Sequence, residues 1–117
     1  MLFMILVKAS KNSENNNRPR PDLEAAMDRY NEALIEAGVR VMAKGLHPSS
    51  EGLRLAYPQH NGRPVVIDVP LPNPSDIVAG FFLINVKSKE EAIEWAMKVP
   101  DPQGFGEGQI ELRQVFE

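Results

Sequence analysis

The chain contains no cysteine. Disulfides, thiolate metal sites and a cysteine nucleophile are therefore excluded. This fits a reducing compartment, and a cytoplasmic location is the expectation. Histidine is scarce as well: His47 and His60 stand far apart, and two such residues do not make a metal site. The apolar start, Met1–Val7, is too short to span a bilayer. No basic residue precedes it and no small-residue cleavage site follows it, so it reads as a strand and not as a signal peptide. No membrane partner is expected. A basic stripe is missing too: 13 Lys and Arg against 16 Asp and Glu give a net charge of −3. Direct contact with nucleic acid is not expected on that balance. Repeats and linkers are also absent.

What is present describes one ordinary domain spanning residues 1–117. The hydrophobic fraction is 43% and the charged fraction 25%, both usual for a globular chain. A domain of this size buries roughly 65% of the surface its unfolded chain exposes, enough for one core without covalent staples.

Hydrophobic periodicity orders the elements. Leu2–Lys8 is the first strand, and Ala9–Pro21 is a polar segment expected to be a mobile loop. A helix is expected from near Asp22, which can cap it. Leu23, Met27, Tyr30 and Leu34 recur at helical spacing, and Gly38 ends the helix as a left-handed cap. Val39–Leu46 is the next strand. Leu53–Tyr57 and Pro64–Val69 follow as a hairpin around Asn61-Gly62. Ala79–Val86 is a further strand. Ser88 opens a second helix, with Glu91 completing a capping box and Ala92, Ile93, Ala96 and Met97 as the apolar face. Pro100 stops it, and Gln109–Phe116 is the last strand. Gly104, Gly106 and Gly108 lie between a helix and a strand, whereas phosphate loops run from strand to helix, so no nucleotide cofactor is expected.

The resulting order, β-α-β-(β-β)-β-α-β, is an α+β fold of the ferredoxin-like, split β-α-β type with an extra hairpin. Its antiparallel sheet carries two helices on one face. Two strands are apolar on both faces: Leu2, Met4 and Leu6 oppose Phe3, Ile5 and Val7, while Phe81 and Leu83 oppose Phe82, Ile84 and Val86. Two helices shelter only one face. Each large side chain left in water costs about 1.5–3 kcal/mol, and a patch of that size usually marks an interface. The expectation is a homodimer packed sheet to sheet about a two-fold axis. The alternative is that Ala9–Pro21 and the hairpin fold back over that face.

Several residues can carry chemistry. Asp68 ends the Val65–Val69 run on the same side as Val66. It reads as a general base or an anchor for a ligand cation, or else as a strand-end acid accepting backbone N–H groups of the turn that follows. His47, in Gly45-Leu46-His47-Pro48-Ser49-Ser50, can exchange a proton near neutral pH and would form an acid–base pair with Asp68, or be a solvated loop residue. Ser49 and Ser50 can bind an anion or cap a turn. Arg40, Lys44, Arg54 and Arg113 alternate away from apolar neighbours and can line a cleft for an anionic ligand, or form a solvated face. The catalytic candidates are thus Asp68 and His47, and the ligand-binding candidates Ser49, Arg54 and Arg113.

Taken together, the apolar first strand, Tyr30-Asn31, Ala37-Gly38-Val39, Gly45 through Ser50, Ala79-Gly80-Phe81-Phe82, Glu91 through Ala96 and Arg113 through Glu117 resemble the YCII-related family, in its DGPF-type branch, over essentially the whole chain. The naming motif stands here as Asp68-Val69-Pro70-Leu71, with Pro72-Asn73-Pro74-Ser75 after it. Valine cannot supply a left-handed backbone as glycine can. The resemblance implies a dimeric α/β barrel. A His/Asp pair in the family implies an enzyme; this chain keeps Asp68 but has Asp22 and Leu23 where the YCII branch places its histidine. Fusion of relatives to sigma factors implies a role in transcription. Two functional expectations follow. One is a homodimer that binds a small, anionic organic ligand, with acid–base chemistry and the segment Ala9–Pro21 as a lid. The other is a non-enzymatic regulatory or interaction module.

Overall fold

Six strands and three α-helices make up the computed structural model, which describes residues 1–15, 20–104 and 106–117. The strands are β1 (Leu2–Lys8), β2 (Arg40–Gly45), β3 (Arg54–Ala56), β4 (Val65–Ile67), β5 (Val78–Asn85) and β6 (Ile110–Gln114). The helices are α1 (Lys11–Glu14), α2 (Pro21–Glu36) and α3 (Lys89–Met97). Four strands form an antiparallel sheet in the order β2-β5-β1-β6, and β3 and β4 form a separate hairpin. This is the mixed α+β, split β-α-β arrangement read from the pattern.

The helical face of the sheet holds the core. Phe3, Ile5 and Val7 of β1 and Phe82 and Ile84 of β5 are buried against Tyr30 and Leu34 of α2 and Ala92 of α3. Tyr30 lies edge-on to Phe82, with ring centroids 5.2 Å apart. On the opposite face, register aligns two rows across all four strands. One row is Lys44, Phe81, Leu6 and Glu111, and the other is Met42, Leu83, Met4 and Arg113. Each row has apolar residues at its centre and a charge at one or both ends.

Helix α2 ends as the sequence predicts. Gly38 takes φ 72°, its N–H donates to Ile35 O at 2.9 Å, and Val39 N–H reaches back to Leu34 O at 3.1 Å. Those two bonds satisfy carbonyls that the last turn leaves free. The start differs. Pro21 takes the first helical position, where its missing N–H costs nothing, and Arg20 precedes it without a side-chain cap. Asp22 lies inside the first turn, 3.2 Å from Arg20.

Two other expectations change. The polar segment after β1 contains α1, closed by a capping box in which Ser10 Oγ accepts from Ser13 N–H and Ser13 Oγ accepts from Ser10 N–H. Residues 16–19 of the expected loop lie outside the described residues, as does Phe105 of the glycine-rich loop, and Pro21 already belongs to α2. In α3, Ala92, Trp95, Ala96 and the following Val99 face the core, while Ile93 and Met97 are exposed. The i, i+3, i+4, i+7 spacing of the first set outweighs the hydrophobicity of the second. Ser88 caps Glu91 N–H at 3.1 Å, but the Glu91 carboxylate accepts from Lys87 N–H, one residue before the cap.

Candidate functional site

A cleft of about 820 Å³ opens between α2 and the β2–β5 edge of the sheet. That volume suits a small organic molecule. Leu23 and Met27 of α2 and Phe82 of β5 give it apolar walls, and Asn12 and Ser13 of α1 and Gln103 close one side. The position of α1 follows from local bonding. Ser10 Oγ donates to Gln103 Oε1 at 3.0 Å, and Gln103 Nε2 donates to Lys8 O at 3.0 Å. Of the segment expected to act as a lid, Asn12 and Ser13 line this cleft.

The most organised polar group of the cleft is Arg40. Its register partner is Ile84, which sets it on the helical side of the sheet. Its Nε donates to Asn31 Oδ1 at 2.7 Å, and both residues are half-buried. The two terminal nitrogens of the guanidinium have no hydrogen-bond or ion-pair partner among the described residues. A planar fork fixed at one corner and free at the other two suits a carboxylate or phosphate, which it can hold through two parallel bonds. Glu24 and Asp28, exposed on α2, stand at the rim.

The residues singled out from sequence are dispersed. Asp68 is exposed just after β4, with no hydrogen-bond or ion-pair partner among the described residues. It accepts none of the backbone bonds that a strand-end acid would take from the turn beyond it. His47 is exposed and lies 3.5 Å from the Glu51 carboxylate, so its acidic neighbour is Glu51 and not Asp68. Ser49 is engaged structurally: its N–H donates to Glu14 Oε2 at 2.9 Å, its hydroxyl donates to Glu14 Oε1, and its Oγ accepts from Leu71 N–H at 3.0 Å. Arg54 is exposed on the hairpin. Arg113 lies on the open sheet face, 3.2 Å from Glu111. None of these five lines the cleft.

Of the four alternating cations, Arg40 and Lys44 both line the cleft; register sets Arg40 beside Ile84 on the helical side of the sheet and Lys44 beside Phe81 on the other. Nothing in the sequence marked Asn31 for a role. Its distance from Arg40 in the chain spans the helix end and a turn, so only the folded geometry pairs them. Among the described residues, no group of three or more His, Asp or Glu is placed to hold a metal, and no helix is long and apolar enough to cross a membrane.

A family model described as the YCII-related domain matches residues 1–117. No curated protein matches the sequence. Among solved structures, the chain is similar to 5-chloro-2-hydroxyhydroquinone dehydrochlorinase (TftG) from Burkholderia phenoliruptrix AC1100, in complex with 2,5-dihydroxybenzoquinone. Identity is 18% and the TM-score 0.48, over 95% of this chain and 91% of that one. A likeness at that level says nothing about the chemistry of this chain.

Proposed function

The chain belongs to the YCII-related family, and from that premise we propose that it binds a small organic anion in the α2–β2 cleft and works as a homodimer. The half-buried Arg40, anchored by Asn31 at 2.7 Å and with no partner for its outer nitrogens among the described residues, carries this reading. The guanidinium fork takes the anionic head, and the wall of Leu23, Met27 and Phe82 takes an apolar body. Desolvation beside that wall strengthens the charge-assisted bonds relative to water.

The dimeric barrel rests on the open sheet face. Its centre is apolar and its rim charged, the usual anatomy of an interface. A two-fold axis parallel to the strands lays the β2 edge of one copy over the β6 edge of the other. That superposition sets Lys44 opposite Glu111, a favourable pairing built from the ends of a single row. Assignment to the DGPF-type branch belongs to the same proposal; the resemblance over the rest of the chain supports it, and the naming motif is degraded here to Asp68-Val69-Pro70-Leu71. Acid–base chemistry by Asp68 and His47 is a separate part of it, since neither lines the cleft. Ser49, Arg54 and Arg113 become ligand contacts only if assembly or closure brings them to the bound molecule.

Benzoate and its uncharged amide test the binding reading in a thermal-shift series. Benzoate at 100 times its Kd adds about 2.7 kcal/mol of stability, and the amide adds much less. Arg40→Gln removes the difference between them. No stabilisation by benzoate or by a panel of aliphatic carboxylates and phosphate monoesters at millimolar concentration sinks the reading.

A further inference from the structure

The wall that α2 gives the cleft carries opposite charge at its two ends. Glu24, Asp28 and Asn31 line the cleft together. Helical residues turn by about 100° and rise about 1.5 Å each, so these three fall within a stripe about 60° wide. Asn31 holds the Arg40 guanidinium at 2.7 Å. Measured along the helix axis toward its N-terminus, Asp28 lies about 4.5 Å and Glu24 about 10.5 Å from Asn31.

Both carboxylates are exposed, and neither has a hydrogen-bond or ion-pair partner among the described residues. Like charges four residues apart on one helix face repel. The strand opposite does not offset this. Only residues 37–39 separate α2 from β2, so the strand runs back along the helix. Beyond Arg40 its residue on the helical side is Ala43, which pairs with Phe82. Lys44 also lines the cleft, but register sets it beside Phe81 on the other side of the sheet, and it makes no ion pair with Glu24 or Asp28. On the α1 side, Asn12, Ser13 and Gln103 carry no charge.

A plain carboxylate held by Arg40 thus shares its wall with two carboxylates that repel it. A basic nitrogen at the far end of the same ligand turns that repulsion into attraction. We infer that the cleft takes a dipolar ligand of the ω-amino acid class: its carboxylate sits on Arg40, its apolar spacer lies on Leu23 and Met27, and its ammonium group reaches Asp28 and Glu24. The spacing of the stripe sets the two charges roughly 5–10 Å apart. An α-amino acid is too short, because both its charged groups sit on one carbon. The inference rests on the anion reading above and specifies the other end of the same molecule.

Isothermal titration compares 4-(aminomethyl)benzoate with 4-(hydroxymethyl)benzoate, which has the same shape and no cation. The amine is expected to bind wild type at least about threefold tighter at low salt, the scale of a solvent-exposed ion pair. In the double variant Glu24→Gln, Asp28→Asn the ratio falls to about one. Equal affinities in wild type overturn the ammonium subsite and leave the anion reading standing. A preference for the amine that persists in the variant overturns the assignment to Glu24 and Asp28. Binding of neither compound, nor of benzoate, overturns the anion reading and the subsite with it. Should the variant fail to fold, carboxyl-carbon NMR on wild type decides: the Glu24 and Asp28 signals shift with the amine and not with the alcohol if the subsite exists, and respond alike to both if it does not.

Discussion

The hydroxyl of Tyr30 donates a 2.8 Å hydrogen bond to the carbonyl oxygen of Trp95, joining α2 to α3 across the top of the core. The ring of Tyr30 meanwhile packs edge-on against Phe82 of the sheet and against Trp95 itself. One side chain thus ties both helices to one strand. Tyr30→Phe keeps the ring and deletes only the donor. Trp95 O retains a bond from Lys98 N–H at 3.2 Å, so it is not left orphaned. The expected loss is therefore about 1 kcal/mol. Urea denaturation checks it: the midpoint falls and the slope stays constant.

The same phenol makes stability depend on alkaline pH. Burial pushes the Tyr30 hydroxyl above the usual tyrosine range, because the folded protein disfavours the phenolate. Above pH ~10 the unfolded chain releases this proton while the native state keeps it. The unfolded state then binds fewer protons, so stability falls as pH rises. Below pH ~10 the group is protonated in both states and contributes no slope. Lysines also titrate in this range, so the informative quantity is the difference between wild type and Tyr30→Phe. That difference narrows and then reverses as pH climbs beyond 10, and a constant difference refutes the assignment.

Close approach of β2 and β5 rests on Gly80. A Cβ there would stand 2.9 Å from Lys44 O and 3.3 Å from Gly45 Cα, both main-chain atoms that cannot swing aside. Gly80→Ala is expected to cost about 1–3 kcal/mol through strand displacement. Gly45 lies directly across the ladder, yet a Cβ on it meets nothing nearer than 4.0 Å. Gly45→Ala is accordingly close to neutral. Thermal melts of the two variants side by side separate this steric account from a general intolerance of alanine in the sheet.

Alternation in β1 and β5 was legible because Leu2–Val7 and Phe81–Ile84 are apolar throughout, and period two divides them into two opposed sets. The end of α2 was legible for a similar reason: Gly38 supplies a backbone conformation that few other residues accept. The site was not legible in the same way. Arg40 looks like Lys44, Arg54 and Arg113 in the sequence, four cations alternating with apolar neighbours. An irregularity in the β2–β5 register between Arg40 and Met42 sets Arg40 on the helical side, while Lys44 turns to the other face. A bulge of that kind leaves no mark in hydrophobic periodicity. Ser49 differs in another way. Its anion-binding potential is real, but the anion is Glu14 of the same chain, brought there by a short helix that the polarity of 9–21 concealed.

Ser49 therefore predicts a stability effect. Ser49→Ala deletes the acceptor of Leu71 N–H and one of two donors to Glu14. The bond to a charged group makes the expected cost about 1.5–3 kcal/mol. Loss of the tie also frees α1 from the turn at Ser49–Glu51, and amide exchange at Leu71 and in residues 11–14 accelerates. Benzoate affinity is unchanged, because Ser49 does not line the cleft. A variant of wild-type stability with lost benzoate affinity would instead make Ser49 a ligand contact.

Asp68 and His47 give the sharpest division between structure and chemistry. Asp68 is exposed and without a partner among the described residues, and His47 has only an exposed carboxylate 3.5 Å away. Exposed ion pairs of that geometry are worth little. Asp68→Asn and His47→Gln should both leave unfolding free energy within about 0.5 kcal/mol of wild type. Neither side chain lines the cleft, so both variants should also keep the response to benzoate and its dependence on Arg40. Any fall in turnover of a substrate found by screening then reports proton transfer alone, with folding and anion binding intact. If turnover is equal in wild type and both variants, the acid–base pair is lost from the mechanism while the anion cleft stands. If benzoate binding collapses with Asp68→Asn, the carboxylate reaches the bound molecule after all, and Asp68 belongs to the binding site.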